Sequence, residues 1–207
     1  METETIRSRG ELKQEALQQL KGNWGKAVAV ALIMMAIGIV ISLVPKVGDL
    51  IQFIVAGPLT LGMVAFFLRL IRREPHEVQD IFSGFSRFVP SFLLYLLSAV
   101  FVFLWTLLLI VPGIIAGLRY AMAFYIMNDH PELTAMEAIE RSKQMMYGHK
   151  WRYFVLQLSF IGWGLLCVLT LGIGLLWLIP YMATTTANFY EDLSRSVPEA
   201  PPLSPPA

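Results

Sequence analysis

Four long runs of this chain, residues 27–45, 50–68, 88–128 and 153–190, contain a single charged residue, Arg119. A small water-soluble core cannot cover apolar runs of that length, whereas a bilayer span needs roughly 20 apolar residues in succession. The runs therefore read as membrane-spanning helices. Charged residues make up 15% of the 207 positions, against about 25% in soluble domains. The net charge of +1 lacks the basic surplus of a nucleic-acid binder. The high apolar content excludes a disordered chain. The first run exceeds the usual signal-peptide core and no small-x-small cleavage site follows, so it reads as an uncleaved span.

The first two runs each have the length of one helix. The third is too long for one and contains Pro112-Gly113; the fourth contains Leu171-Gly172-Ile173-Gly174. Gly and Pro punctuate regular structure, so both runs split into hairpins. This predicts an all-α membrane domain, residues 27–190, of six transmembrane helices in three hairpins: 27–45, 50–68, 88–111, 113–128, 153–170 and 174–190. Residues 1–26 form a cytoplasmic amphipathic N-terminal segment. The tail, 191–207, is rich in proline and is expected to be disordered.

Six spans put fourteen of the sixteen Lys and Arg on one side. They are Arg7, Arg9, Lys13, Lys21 and Lys26, then Arg69, Arg72, Arg73 and Arg87, then Arg141, Lys143, Lys150 and Arg152, and finally Arg195. The opposite side has only Lys46. The positive-inside rule places the fourteen, and both termini, in the cytoplasm. Trp24 and Trp151 precede spans one and five, where an indole suits the headgroup level.

Each odd-numbered span follows a segment with apolar residues at helical spacing. The first has Leu12, Ala16, Leu17 and Leu20 before Gly22-Asn23-Trp24. The second has Val78, Ile81, Phe82 and Phe85 around Gly84. The third opens with the capping box Thr134–Glu137 and runs through Ile139 and Met146 to Gly148-His149-Lys150-Trp151. Each is expected to be a surface-lying cytoplasmic helix that feeds a hairpin. The pattern fits either a three-fold internal repeat or the basic linkers common in multispan proteins.

Arg119 is the sharpest chemical signal, because an arginine at the centre of a membrane helix costs roughly 2.5–3.5 kcal/mol. No acid lies within any span to pair with it, leaving carbonyls, hydroxyls, lipid phosphate, or a loop acid such as Asp49. It reads either as an anion-binding group facing a cavity, with Tyr120 beside it, or as an arginine that snorkels or caps carbonyls near the Pro112-Gly113 break. Gly113 and Gly117 form a G-x-x-x-G that permits close helix packing. Thr184, Thr185, Thr186 and Asn188 either satisfy neighbours across a helix interface or line a polar pocket. The candidate ligand set is thus Arg119, Tyr120, Thr184 and Asn188. The expected packing positions are Pro112, Gly113, Gly117, Gly148 and Trp151.

The lone cysteine, Cys167, reads as a small buried hydrophobe. His76, His130 and His149 have no second ligand at metal spacing. Asp129 and Glu132, like Glu137 and Glu140, read as helix-start and solvated-face charges. No nucleophile–base set, phosphate loop or intramembrane carboxylate pair appears. No catalytic residue, metal or cofactor is therefore expected, and an enzyme would need the histidines to converge with Asp129 or Glu132.

Several stretches resemble the bacterial integral membrane family known as domain of unknown function 975. They are Pro112-Gly113-Ile114-Ile115-Ala116-Gly117-Leu118-Arg119-Tyr120, Ala138-Ile139-x-x-Ser142, Gly148-His149-Lys150-Trp151, Leu158-Ser159-Phe160-Ile161-Gly162-Trp163 and the opening Leu20-Lys21-Gly22-Asn23-Trp24. The likeness extends over about residues 10–192. The shorter Pro-Gly-Ile to Arg-Tyr element is also similar to the membrane domain of some glycerophosphodiester phosphodiesterases. The first resemblance implies a multi-pass protein of the bacterial cytoplasmic membrane and carries no activity with it. The functional expectation is non-enzymatic binding of an anionic lipid or amphiphile, or support of a membrane complex. The alternative is a small transporter for an anionic solute. The expected partners are membrane lipids and either a protein or a second copy, with no nucleic acid.

Overall fold

A computed structural model describes residues 7–196, and every regular element among them is helical. The first half comprises α1 (Arg9–Leu20), α2 (Trp24–Ser42), α3 (Gly48–Ile71), a 3-10 helix (Val78–Arg87) and α4 (Phe88–Leu108). The second comprises α5 (Ile110–Tyr120), α6 (Ala123–Asp129), α7 (Ala135–Met145), α8 (Lys150–Leu158), α9 (Ile161–Leu169) and α10 (Leu175–Ser196). Five stretches are long and apolar enough to cross a membrane: Trp24–Ser42, Gly48–Ile71, Val78–Leu108, Ile110–Asp129 and Lys150–Leu169.

The fourth stretch breaks at Ala121-Met122 and the fifth at Ser159-Phe160. The third run turns at Leu109, not at Pro112-Gly113. Pro112 instead occupies the first turn of α5, where its missing N–H would have no helical acceptor anyway. The fourth run turns where its glycines lie, with Leu171 and Gly172 at φ 51° and 87°.

α10 has 22 residues and continues through Glu191–Ser196, the first six residues of the expected tail. Residues 197–207 lie outside the described part. α10 and α3 make the centre of the bundle. Phe66, Phe67 and Leu68 of α3 and Thr184, Ala187 and Phe189 of α10 are all buried. A helix enclosed by protein can hold polar side chains that lipid would penalise. That explains why the buried Thr184, Thr185, Asn188 and Asp192 are tolerated in α10, and why it is less apolar than the five.

α1, the 3-10 helix and α7 each bury apolar residues in the protein. α1 buries Leu12, Ala16 and Leu20, and α7 buries Ala135, Ala138 and Ile139. Both start with a capping box, Ser8 with Glu11 and Thr134 with Glu137. The second segment is a 3-10 helix laid against α3 so closely that a Cβ on Gly62 would overlap the Ile81 carbonyl, and one on Gly84 the Pro58 carbonyl. Ile81 is buried there while Phe82 and Phe85 stay exposed.

The first and third segments end alike. Gly22 and Gly148 have φ of 91° and 80°, and Asn23 and His149 follow at φ −113° and −107°. Glycine enters this left-handed region without steric cost. Gly84 has no such conformation; it is a contact glycine inside the 3-10 helix.

Ion pairs gather at one end of the bundle. Arg72, at the end of α3, meets Asp129 of α6 and Glu191 of α10. Arg7 and Arg152 meet Asp192, and Lys26 meets Glu77. The turns around Leu43, Leu109 and Leu171 are all exposed.

Candidate functional site

Ser142 is fully buried on α7 and bridges the α5–α6 break. Its hydroxyl donates to the Arg119 carbonyl at 2.7 Å and accepts from the Met122 N–H at 3.2 Å. The break would otherwise leave both backbone groups without helical partners, a cost of several kcal/mol each in an apolar setting. The same contact fixes the last turn of α5 against α7 and aims Arg119 at the α7–α8 corner.

At that corner Arg119, Lys143, Gln144, Tyr147 and Lys150 line an open pocket of about 460 Å³, together with Glu140. Glu140 is already paired with Lys143 at 2.8 Å. Among the described residues no carboxylate pairs with Arg119 or Lys150, so the pocket keeps a positive surplus. Lys150 lies over the Tyr147 ring at 5.8 Å. Tyr147 and Trp151 are 81% and 73% exposed, as aromatic side chains at a headgroup layer are. The Gly148 turn makes the corner by sending α8 off at Lys150. Arg119, halfway along the stretch Ile110–Asp129, therefore sits beside the basic start of α8 and not among apolar side chains alone. Asp49, offered as its partner, starts α3 at the tip end.

The four candidate ligand residues do not share this pocket. Tyr120 is buried against Phe101, with ring centroids 6.1 Å apart. Thr184 donates to the Pro180 carbonyl of its own helix at 2.8 Å. Asn188 exchanges two amide hydrogen bonds with Gln19 of α1, at 2.7 and 3.0 Å. The hydroxyls of Thr185 and Thr186 bond back to their own helix in the same way. Gln157 of α8 donates to Thr186 at 3.3 Å. The hydroxyl and amide cluster thus joins α10 to α1 and α8. Of the G-x-x-x-G pair, Gly113 meets Thr106 of α4 closely, whereas Gly117 has open space where a side chain would stand.

Asp129 corrects an expectation. It is not a solvated-face charge. It receives two hydrogen bonds from Arg72, at 2.9 and 2.7 Å, and one from the Tyr190 hydroxyl at 2.9 Å. Hydrogen bonding to Asp129 holds the Arg72 guanidinium proton more firmly than usual, against the opposing effect of burial. The partners are 57 and 61 residues from Asp129, so no local spacing announces them. Arg152 donates to Asp192 and to the Arg7 carbonyl, both at 2.5 Å. Together these groups lock α1, α3, α6, α8 and α10 at the charged end.

The histidines do not converge. His130 contacts Glu132 at 3.2 Å, the His76 Nδ1 lies 2.8 Å from the Glu74 carbonyl, and His149 precedes α8. Asp129 is committed to Arg72. Among the described residues no three His, Cys, Asp or Glu side chains are placed to share a metal ion.

The model of the family described as "Protein of unknown function (DUF975)" matches residues 1–116 and 106–196. The looser likeness to the membrane domain of glycerophosphodiester phosphodiesterases gains no support from this match. No curated protein and no solved structure matches the chain.

Proposed function

The chain belongs to this DUF975 family of unknown function, and from that premise we propose that it is a non-enzymatic membrane protein whose α5–α7–α8 pocket binds the headgroup of an anionic lipid or amphiphile. Arg119 and Lys150, both without a carboxylate partner among the described residues, around one open pocket with the Lys143–Glu140 pair carry this reading. A planar guanidinium offers phosphate two parallel hydrogen bonds, while ammonium groups add point charge. Tyr147 and Trp151 beside the pocket suit headgroup depth.

The membrane arrangement completes the reading. α10 acts as a sixth span, because its start follows the α9 tip while Glu191 and Asp192 return to Arg72 and Arg152. Six passages in three hairpins keep both termini at the charged end. The Lys and Arg excess there makes that end cytoplasmic. Anionic lipid is attracted to such a surface by about 1 kcal/mol per basic residue.

Native mass spectrometry after reconstitution in phosphatidylcholine with phosphatidylglycerol tests the pocket. Arg119→Ala and Lys150→Ala are each expected to lower retained phosphatidylglycerol about fivefold, with phosphatidylcholine unaffected. Equal phosphatidylglycerol retention in wild type and both variants rejects the proposal.

A further inference from the structure

A second cavity, distinct from the Arg119 pocket, opens sideways between α9 and α10 and holds about 360 Å³. That lies within the range of roughly 300–1,000 Å³ common for ligand sites. Cys167 and Leu178 form its buried floor. Trp163 and Trp177 form its rims and are about half-exposed. Leu17 of α1 and Trp24 of α2 close it toward the charged end. Gly174 also lines it, and a Cβ there would stand 2.8 Å from the Cys167 Sγ.

The charged end of this groove is cationic. Arg9, Lys13 and Leu17 recur every four residues and so share one face of α1. Lys13 reaches across to α8 and α9: its Nζ donates to the Ser159 carbonyl at 3.2 Å and stands 4.0 Å from the Phe160 ring centroid. Phe160 packs edge-on against Tyr181, 5.2 Å away, which lines the groove. Among the described residues Lys13 has no acidic partner. Burial, with the nearby Arg9, holds its ammonium below the usual lysine range.

We propose that this groove holds one acyl chain of an anionic bilayer phospholipid, with its headgroup against Lys13 and the basic face of α1. The apolar lining suits a hydrocarbon chain, and a partly desolvated cation at one end suits a phosphate. A neutral partner helix would leave that cation without a counter-charge. This site stands independently of the Arg119 pocket.

The test uses the full-length protein in vesicles of phosphatidylcholine and phosphatidylglycerol, extracted and weighed by native mass spectrometry. Lys13→Ala is expected to lower about fivefold the fraction of protein that retains a second phosphatidylglycerol, the weight of one basic residue at an anionic surface. Cys167→Phe, which fills the floor, is expected to abolish that bound lipid, while Leu165→Phe on the outer face of α9 leaves it. Arg119→Ala is expected to remove only the lipid of the Arg119 pocket and to leave this one, so that wild type carries two phosphatidylglycerols and each single-site variant one. Unchanged retention in both Lys13→Ala and Cys167→Phe overturns the proposal. So does retention that depends on Arg119 alone. A dimer that Cys167→Phe dissociates also overturns it, since a second copy would then occupy the groove.

Discussion

The Ser142 hydroxyl donates to the Arg119 carbonyl at 2.7 Å across 23 residues of sequence. Through this bond α7 supports the break after α5 and fixes the helix end that presents the Arg119 side chain. Removing the hydroxyl leaves the Arg119 carbonyl and the Met122 N–H without their partner. Ser142→Ala is therefore expected to cost about 1–3 kcal/mol, read as a lower melting temperature in detergent. It is also expected to weaken phosphatidylglycerol retention, although Ser142 does not line the pocket.

The contact between α3 and the 3-10 helix has no room for even a methyl group at Gly62, because the Ile81 carbonyl occupies that space. Gly62→Ala is expected to destabilise by about 1–3 kcal/mol or more, since the clash is with backbone. Gly117→Ala meets open space and is expected to leave the melting temperature unchanged or slightly raised. Thermal scans of the two variants side by side check the pair. Equal behaviour would contradict the close approach.

Parts of this arrangement were legible in the sequence and parts were not. The Thr134–Glu137 box and the Gly22 and Gly148 turns depend on neighbours within a few residues, so their spacing reveals them. The sequence puts the α4–α5 turn at Pro112-Gly113 and not at Leu109, because proline is as compatible with a helix's first turn as with a loop. The length of α10 was missed for a different reason. Glu191 and Asp192 look like tail charges until Arg72 and Arg152 arrive from α3 and α8. In the sequence Lys143 and Lys150 bear only on orientation, since nothing in their spacing tells that the break after α5 delivers Arg119 to them.

His149 gives the fold a pH dependence. Burial and the neighbouring Arg152 hold its imidazole below its ordinary value of 6.5, against a smaller opposing effect of Asp192. A depressed folded value means that the unfolded chain takes up the proton first. The stability is complete above about pH 6.5 and is lost as pH falls through the lower folded value. Melting temperatures in detergent from pH 7.5 to 5.5 are expected to decline, and His149→Gln is expected to flatten that decline.

The hairpin tips differ in how they can meet water. Lys46 stands in the first tip, whereas Leu169 and Leu171 of the third are 80% and 94% exposed without a charge nearby. The third tip satisfies its own N–H groups. Gly172 donates to the Cys167 carbonyl at 2.9 Å, and Gly174 to the Thr170 hydroxyl at 3.0 Å. Such a turn can remain in an apolar medium. In a Cys167→Ser background, an impermeant maleimide is expected to label Lys46→Cys from outside intact cells and not Leu171→Cys. Equal labelling would place both tips in water.

Where an anionic headgroup sits is the most direct question, and headgroup photo-crosslinking answers it. Vesicles containing phosphatidylglycerol with a photoreactive headgroup are irradiated with the reconstituted protein, and the adducts are mapped by peptide mass spectrometry. Adducts are expected within residues 140–150, around Lys143, Gln144, Tyr147 and Lys150, and are expected to fall sharply in Arg119→Ala. Adducts in that stretch that persist unchanged in Arg119→Ala, or that form equally with a phosphatidylcholine probe, would contradict an anion site at this pocket.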